Sequence, residues 1–530
     1  MKKILFSVVC FLLLYLACFP AMAQVALPVT NKQYHEQINK LWNQKKAQYT
    51  EAIKKSKDNP QVLYNIQGET NNLLKYAGYC KKHELIDELS GLYLQSLDTL
   101  TMTDQYLYAY YPGSPRRSIH PLDKKYRMWV DKQQPVGQEI ILDSSQFLYL
   151  LSDTVSIIAD INREKRTPIM KEALNKFIPL LIEHYDRWIF NTPGPFQVRG
   201  WGCRFDGKHV PTGLNHFEFI NKKMDKKLGN GKSPAYCNAV QDIDMWIIAG
   251  VANVLSAYKK EKALVPITPD GYRKLLDYVK TGDKLIENRF SYTKLKNFDG
   301  APVVGAVFEP GVWDDHPGYD YAGYNEEAYP TDLQARKLKY RAKGAGWDLS
   351  HARRFVHVFE TLLKTKDVLD LDFPTEELMV KMTNQLVYCT FNRDFKKPLF
   401  TNFMDGSNGW YRVGYSGRTG SGYGPWDMSL YVFEGGYGFW SKYNNDIEKV
   451  FNTAVEMFKS KDPEIRKHLI DHYEMNYWIQ YQRKSGRDFK TGKNPATQVF
   501  LMHFLPSLCF MNEVQKNIQS RQFWTEEAMK

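Results

Sequence analysis

TPIMKEALNKFIPLLIEHYDRWIF, residues 167–190, carries the reading that decides the fold class. Met170, Leu174, Phe177, Leu180 and Leu181 recur with the helical period and fall on one face of a single helix. Pro179 lies inside that pattern, where a missing N–H and a ring clash should kink the rod. Outward from this segment the same periodicity runs through 31–57, 60–82, 84–101, 143–163, 234–262, 269–288, 348–368, 374–392, 446–460, 462–483 and 494–513. The helices follow one another in pairs, with connections alternately short and long, and no long alternating β pattern interrupts them. The pattern predicts an all-α chain, an (α/α)n toroid or barrel of paired antiparallel helices with long active-site loops. It argues against a toroid followed by a β-sandwich, so residues 24–530 read as a single domain.

The first residues read as an export signal. Lys2 and Lys3 form a positive start, Ile4 to Leu16 is an almost unbroken apolar run, and Ala21-Met22-Ala23 is a small-x-small cleavage site. Residues 1–23 are therefore expected to leave, giving a periplasmic or secreted protein that begins at Gln24. Cys18 raises a lipoprotein anchor, but the bulky Tyr15 fits a lipobox poorly. No second run of about 18 apolar residues follows, so no integral membrane segment is expected in the mature chain. Five cysteines remain, Cys80, Cys203, Cys237, Cys389 and Cys509, with no CxxC pair; neither a zinc site nor a disulfide framework is indicated.

The formal net charge of +12 favours an anionic partner, because a positive cleft concentrates negative ligands. Nucleic acid is not that partner: the lysines are scattered along helices and no reader motif is present. Aromatic content of 14%, led by 34 tyrosines, suits clefts that stack on sugar rings, although core packing also absorbs such residues.

Three long connections, 191–233, 289–347 and 395–430, are rich in Gly, Pro, Trp, Tyr and charge, as functional loops are. Ser233-Pro234 reads as a helix start, with Asn238 in its second turn and Asp242 one turn further along the same face. Asp348 reads as the cap of the next informative helix, and His351 in its first turn shares a face with Phe355, Val358 and Leu362. A helix N-terminus disfavours the imidazolium, which suits His351 to a general base; the competing reading is a core histidine. His357, six residues on, faces elsewhere and reads as structural. Between the glycines of 403–426 stand Trp410, Tyr411, Arg412, Tyr415, Arg418, Tyr423 and Trp426. Guanidinium groups there can grip a carboxylate, an Arg beside a phenol makes Tyr a usable acid or base, and the aromatic walls can hold pyranose rings. Asn215-His216 is a second candidate pair, in a loop that also carries Arg199, Trp201, Arg204 and His209. The third loop offers Glu309, Trp313, Asp314, Asp315 and His316, as acid and base or as a metal set without standard spacing.

An export signal, paired helices, and Asn, His, Arg and Tyr on helix starts and loops resemble the α/α-toroid polysaccharide lyases, closest to the alginate and glucuronan lyases of family 38. The resemblance covers the mature chain and rests on architecture and residue types. It implies that Asn238 and Arg412 neutralise a uronate carboxylate, His351 acts as base, and Tyr415 as acid. Asn215-His216, Arg418 and Tyr423 are equivalent alternatives, and Trp201, Trp410 and Trp426 are expected against the sugar. Neutralising the C6 carboxylate lets an enolate develop after H5 is removed, worth typically about 2.7–4 kcal/mol per donor. The base and the acid that protonates the departing O4 each contribute about 100–10,000-fold. β-Elimination of an anionic polysaccharide needs no cofactor and no metal. Two other expectations stand beside it: an inverting glycoside hydrolase using Glu309, Asp314, Asp315 or Asp348, and a non-catalytic glycan-binding protein.

Overall fold

The computed structural model describes residues 31–108, 118–132, 138–191, 214–228, 238–314, 343–409, 411, 423, 425–474 and 502–513. These residues are mostly helical, as the periodicity predicts. Thr167 starts the decisive helix, its hydroxyl accepting from Met170 N at 3.1 Å with Pro168 at the first position. The helix then runs unbroken through Pro179 to Phe190. Met170, Leu174, Phe177, Leu180 and Leu181 are all buried. Burial of each such side chain stabilises the fold by about 1.5–3 kcal/mol, which offsets the backbone bond lost at proline.

In chain order the helices are α1 (Asn31–Lys55), α2 (Gln61–Tyr79), α3 (His83–Leu94), α4 (Ile141–Ala159), α5 (Pro168–Phe190), α6 (His216–Met224) and α7 (Asp242–Lys260). After them come α8 (Pro269–Glu287), α9 (Leu349–Leu369), α10 (Glu376–Asn384), α11 (Leu430–Glu434), α12 (Asp446–Lys459) and α13 (Pro463–Leu469). Residues 502–513 are also helical. α4 and α7 are buried around most of their circumference, the mark of central helices. α4 packs between α2 and α7, and α9 packs on α7. The peripheral helices α3, α5 and α8 lean on this central row.

The first turns of the central row meet at one end. Gln146 of α4 donates to the Tyr64 carbonyl of α2 at 3.2 Å, Arg354 of α9 donates to the Tyr64 hydroxyl at 2.8 Å, and Arg354 Nε lies 3.3 Å from Asp242 of α7. The helical residues 502–513 return to α2, where the rings of Phe510 and Tyr79 stand 4.9 Å apart. α7 and α5 approach closely at Gly250, where a Cβ would lie 2.0 Å from the Tyr185 oxygen. We expect Gly250→Val to destabilise the protein by about 1–3 kcal/mol in urea titration, with overpacking outweighing the gain in helix propensity.

Several boundaries depart from the sequence reading. The expected helix 84–101 ends at Leu94, passes through a 3-10 turn at Gln95–Thr99 and gives way to a strand. Three antiparallel ribbons stand beside the helices: β1 (Thr101–Tyr108) with β2 (Ser118–Met128), β3 (Val130–Asp131) with β4 (Gln138–Glu139), and β5 (Phe290–Lys296) with β6 (Pro302–Phe308). The last occupies the start of the expected 289–347 loop, turning at Gly300, whose φ of 84° suits glycine. The expected helix 234–262 is interrupted at 239–241, and α7 begins only at Asp242. Gln241 caps it in a reciprocal capping box with Asp244, a start signal that outcompetes continuation from Pro234. Among the described residues no helix is long and apolar enough to cross a membrane.

Candidate functional site

Asp348 is the N-cap of α9, with Oδ1 accepting from His351 N at 3.2 Å. The same carboxylate reaches back to the ring, its oxygens 2.8 and 3.0 Å from His351 Nδ1. A carboxylate only accepts, so Nδ1 carries the proton and the basic lone pair sits on Nε2. Asp348 is wholly buried, whereas the His351 side chain is 15% exposed, so the carboxylate holds a ring that reaches the surface.

The loop after α10 completes this constellation. Leu349 N donates to the Asn402 carbonyl and Met404 N to the Trp347 carbonyl, each at 2.9 Å, laying 402–404 along the start of α9. Asn402 and Asn408 then fasten the loop: Asn402 Nδ2 donates to the Gly409 carbonyl at 2.7 Å, and Asn408 Oδ1 accepts from Trp426 N at 2.9 Å. Tyr411 and Tyr423 exchange backbone hydrogen bonds of 2.9 and 2.8 Å, bringing the two ends of the intervening segment together. The Tyr411 hydroxyl thereby reaches 3.0 Å from His351 Nδ1. Trp313 and Trp347 wall the imidazole, their rings 6.1 and 6.0 Å from it.

Beside this group lies a small recess lined by the middle of α2, by the early turns of α4, α7 and α9, and by the end of α11. Arg354 joins the two. Burial by itself would lower its pKa, but Tyr64, Asp242, Asp348 and Tyr411 around it more than reverse that. The recess wall carries buried polar atoms with no hydrogen-bond partner among the described residues: both amide atoms of Asn71, Asn72 Oδ1, Gln146 Oε1, Trp246 Nε1 and His357 Nδ1. Buried polar groups are usually hydrogen-bonded, so this concentration gives the recess donors and acceptors that a polar group entering it could meet. Burial, and then the nearby Lys75 and Arg353, hold His357 well below the usual imidazole range. Glu434, also on the wall, is pushed up to about 7 by burial, with Arg353 opposing. Arg353 stands 5.7 Å over the Tyr431 ring, and the Tyr431 hydroxyl is 3.0 Å from that of Tyr423.

The expected residues thus divide. His351 and Tyr423 come to this end of the molecule, and Trp426 is half-buried near it, its backbone held by Asn408. Asn238 does not contribute its amide: Oδ1 accepts from Leu228 N at 2.9 Å and Nδ2 donates to the Leu228 carbonyl at 3.1 Å. Because the helix breaks at 239–241, Asn238 and Asp242 do not share a helical face. Asn215 is the N-cap of α6, in a capping box with Glu218. His216 is wholly buried, 2.7 Å from the Tyr278 hydroxyl and 2.9 Å from Asp244. Those three residues build the scaffold because their polar atoms are already matched inside it. Arg412, Tyr415, Arg418, Trp410 and Trp201 lie outside the described residues.

Glu309 accepts from Val240 N at 2.7 Å, and Asp314 accepts from Gly344 N at 2.9 Å, so both carboxylates serve the backbone. Asp315 and His316 lie outside the described residues. Sequence reading passed over Arg353, Arg354, Asn71 and Gln146 and set His357 aside as structural, although it lines the recess. The one signal available was polar residues recurring on faces of helices too apolar to need them. Compared with protein-family models, curated proteins and solved structures, the chain matches none.

Proposed function

We propose that this protein is a polysaccharide lyase that cleaves a uronate-containing glycan by β-elimination, on a ring of paired helices. The observation that carries the reading is the Asp348–His351–Tyr411 constellation beside an arginine-sided recess of unmatched polar groups. The succession α2, α4, α7, α9 and the return of 502–513 to α2 support a closed (α/α)n arrangement with its inner helix starts at the mouth.

In this mechanism Arg354, with the unmatched donors Asn71 Nδ2 and Trp246 Nε1, takes the carboxylate role first expected of Asn238 and Arg412. Their donors neutralise the C6 carboxylate and stabilise the enolate as it forms. His351 Nε2 removes H5, with Asp348 fixing the tautomer and supporting the imidazolium. Tyr411, buried against Nδ1, is a positioning residue. Tyr423, half-buried and linked through Tyr431 to Arg353, supplies the proton to the departing O4. The engagement of Glu309, Asp314 and Asp348 with backbone or ring N–H groups weighs against a carboxylate-pair hydrolysis.

Incubation with alginate, glucuronan, hyaluronan and chondroitin is expected to yield, from at least one of them, products that absorb in the ultraviolet through a C4–C5 double bond. New reducing ends without that chromophore would mean hydrolysis, and retention on immobilised glycan without cleavage would mean a binding protein.

A further inference from the structure

Two thiols far apart in sequence meet at the end of α2 remote from the recess-lining turns. Cys80 follows α2, its N–H donating to the Tyr76 carbonyl at 2.9 Å, and Cys509 is buried on the helical residues 502–513. Their chain neighbours pack on each other, with the Tyr79 and Phe510 rings 4.9 Å apart. The two thiols are close enough for each to shift the ionisation of the other. His35 flanks them, with Nδ1 3.5 Å and Nε2 3.7 Å from Cys509 Sγ, and hydrogen-bonds Tyr76 one turn before Cys80. Cys389 is elsewhere, its thiol against the Asp405 carbonyl at 3.4 Å.

We propose that Cys80 and Cys509 form an oxidation site, a disulfide that ties residues 502–513 to the end of α2. The inference is independent of the lyase reading. Cys80 is partly exposed and Cys509 buried, so Cys80 is the sulfur that an external disulfide reaches first. The oxidant is a disulfide compound. Cys80 thiolate attacks one of its sulfurs and expels the other as thiolate, leaving a mixed disulfide on Cys80. Cys509, its proton passing to the adjacent imidazole of His35, then attacks Cys80 Sγ and expels the second thiolate. Two protein thiols become one disulfide, and one disulfide oxidant becomes two thiols. Such a bond suits the oxidising compartment expected from the export-like first 23 residues.

The full chain, equilibrated with oxidised and reduced glutathione, is quenched in acid, alkylated and digested without reduction. The expected result is a peptide pair joined through Cys80 and Cys509, with Cys389 alkylated. Cys509→Ser is expected to retain glutathione on Cys80, since the resolving thiol is gone. Oxidation should also raise the thermal midpoint of the wild type by a few degrees, reversed by reductant. Full alkylation of both cysteines under oxidising ratios, or linkage of either to another cysteine, overturns the proposal. An unchanged midpoint in a cross-linked sample overturns its stabilising role.

Discussion

His351→Gln is expected to lower kcat by about 100–10,000-fold on whichever uronate glycan the wild type cleaves, with little change in the unfolding midpoint. The side chain is partly exposed and α9 keeps its cap, so the loss should be chemical and not structural. Asp348→Asn separates the two duties of that carboxylate. Asparagine caps a helix as well as aspartate does, so the start of α9 should survive. An amide presents one oxygen where the carboxylate offers two to Nδ1, and its NH2 can turn toward the ring and favour the wrong tautomer. The expected result is a fall in kcat with an unmoved melting curve. If His351→Gln retains wild-type kcat, the assignment of the base is wrong, whatever the glycan.

The second large effect concerns stability. Asp244, at the third position of α7, is wholly enclosed by Lys223, whose ammonium it pairs with, and by His216 Nε2 at 2.9 Å. Burial taken alone would raise the Asp244 carboxyl, but Lys223 and then His216 more than reverse this and hold it at about 2. Lys223 and His216 are lowered too, by burial, which for a base disfavours the charged form. The arrangement that reconciles them is ionised Asp244, charged Lys223 and neutral His216, because an ammonium holds its proton far more tightly than an imidazole. Asp244→Asn leaves that ammonium buried without its counter-charge and is expected to cost about 3–5 kcal/mol in urea titration. Lys223→Met combined with Asp244→Asn should recover most of the loss, since no uncompensated charge remains and the amide can still meet His216 and Gln241 N. The sign with pH follows from a carboxyl held below its ordinary value of 3.8. Its stabilising contribution is complete above that value and disappears as pH falls through about 2, a dependence the Asp244→Asn protein should lack. A single substitution within about 1 kcal/mol of wild type would show that Lys223 finds another partner or sheds its proton.

Much of the fold could be read from sequence because helical periodicity and caps are local. The run at 167–190, the Asp348 cap and the position of His351 in the first turn all follow from residues within a few places of one another. The ribbon at Phe290–Phe308 was hidden because its seven-residue strands sit in a stretch whose composition reads as loop. The misreading of Asn238 has a similar cause, since Pro234 and the pair Gln241–Asp244 both offer helix starts and only packing selects between them.

The sequence by itself determined a mostly helical chain with a basic balance, and a histidine positioned by its own cap. Only the tertiary structure decided that Tyr411, sixty residues away, reaches that histidine, and that Asn215, His216 and Asn238 spend their polar atoms inside the scaffold. Helix formation depends on bonds between neighbours in the chain. Whether a polar group is matched within the fold or left facing a recess depends on what the rest of the chain brings to it, and no local pattern encodes that.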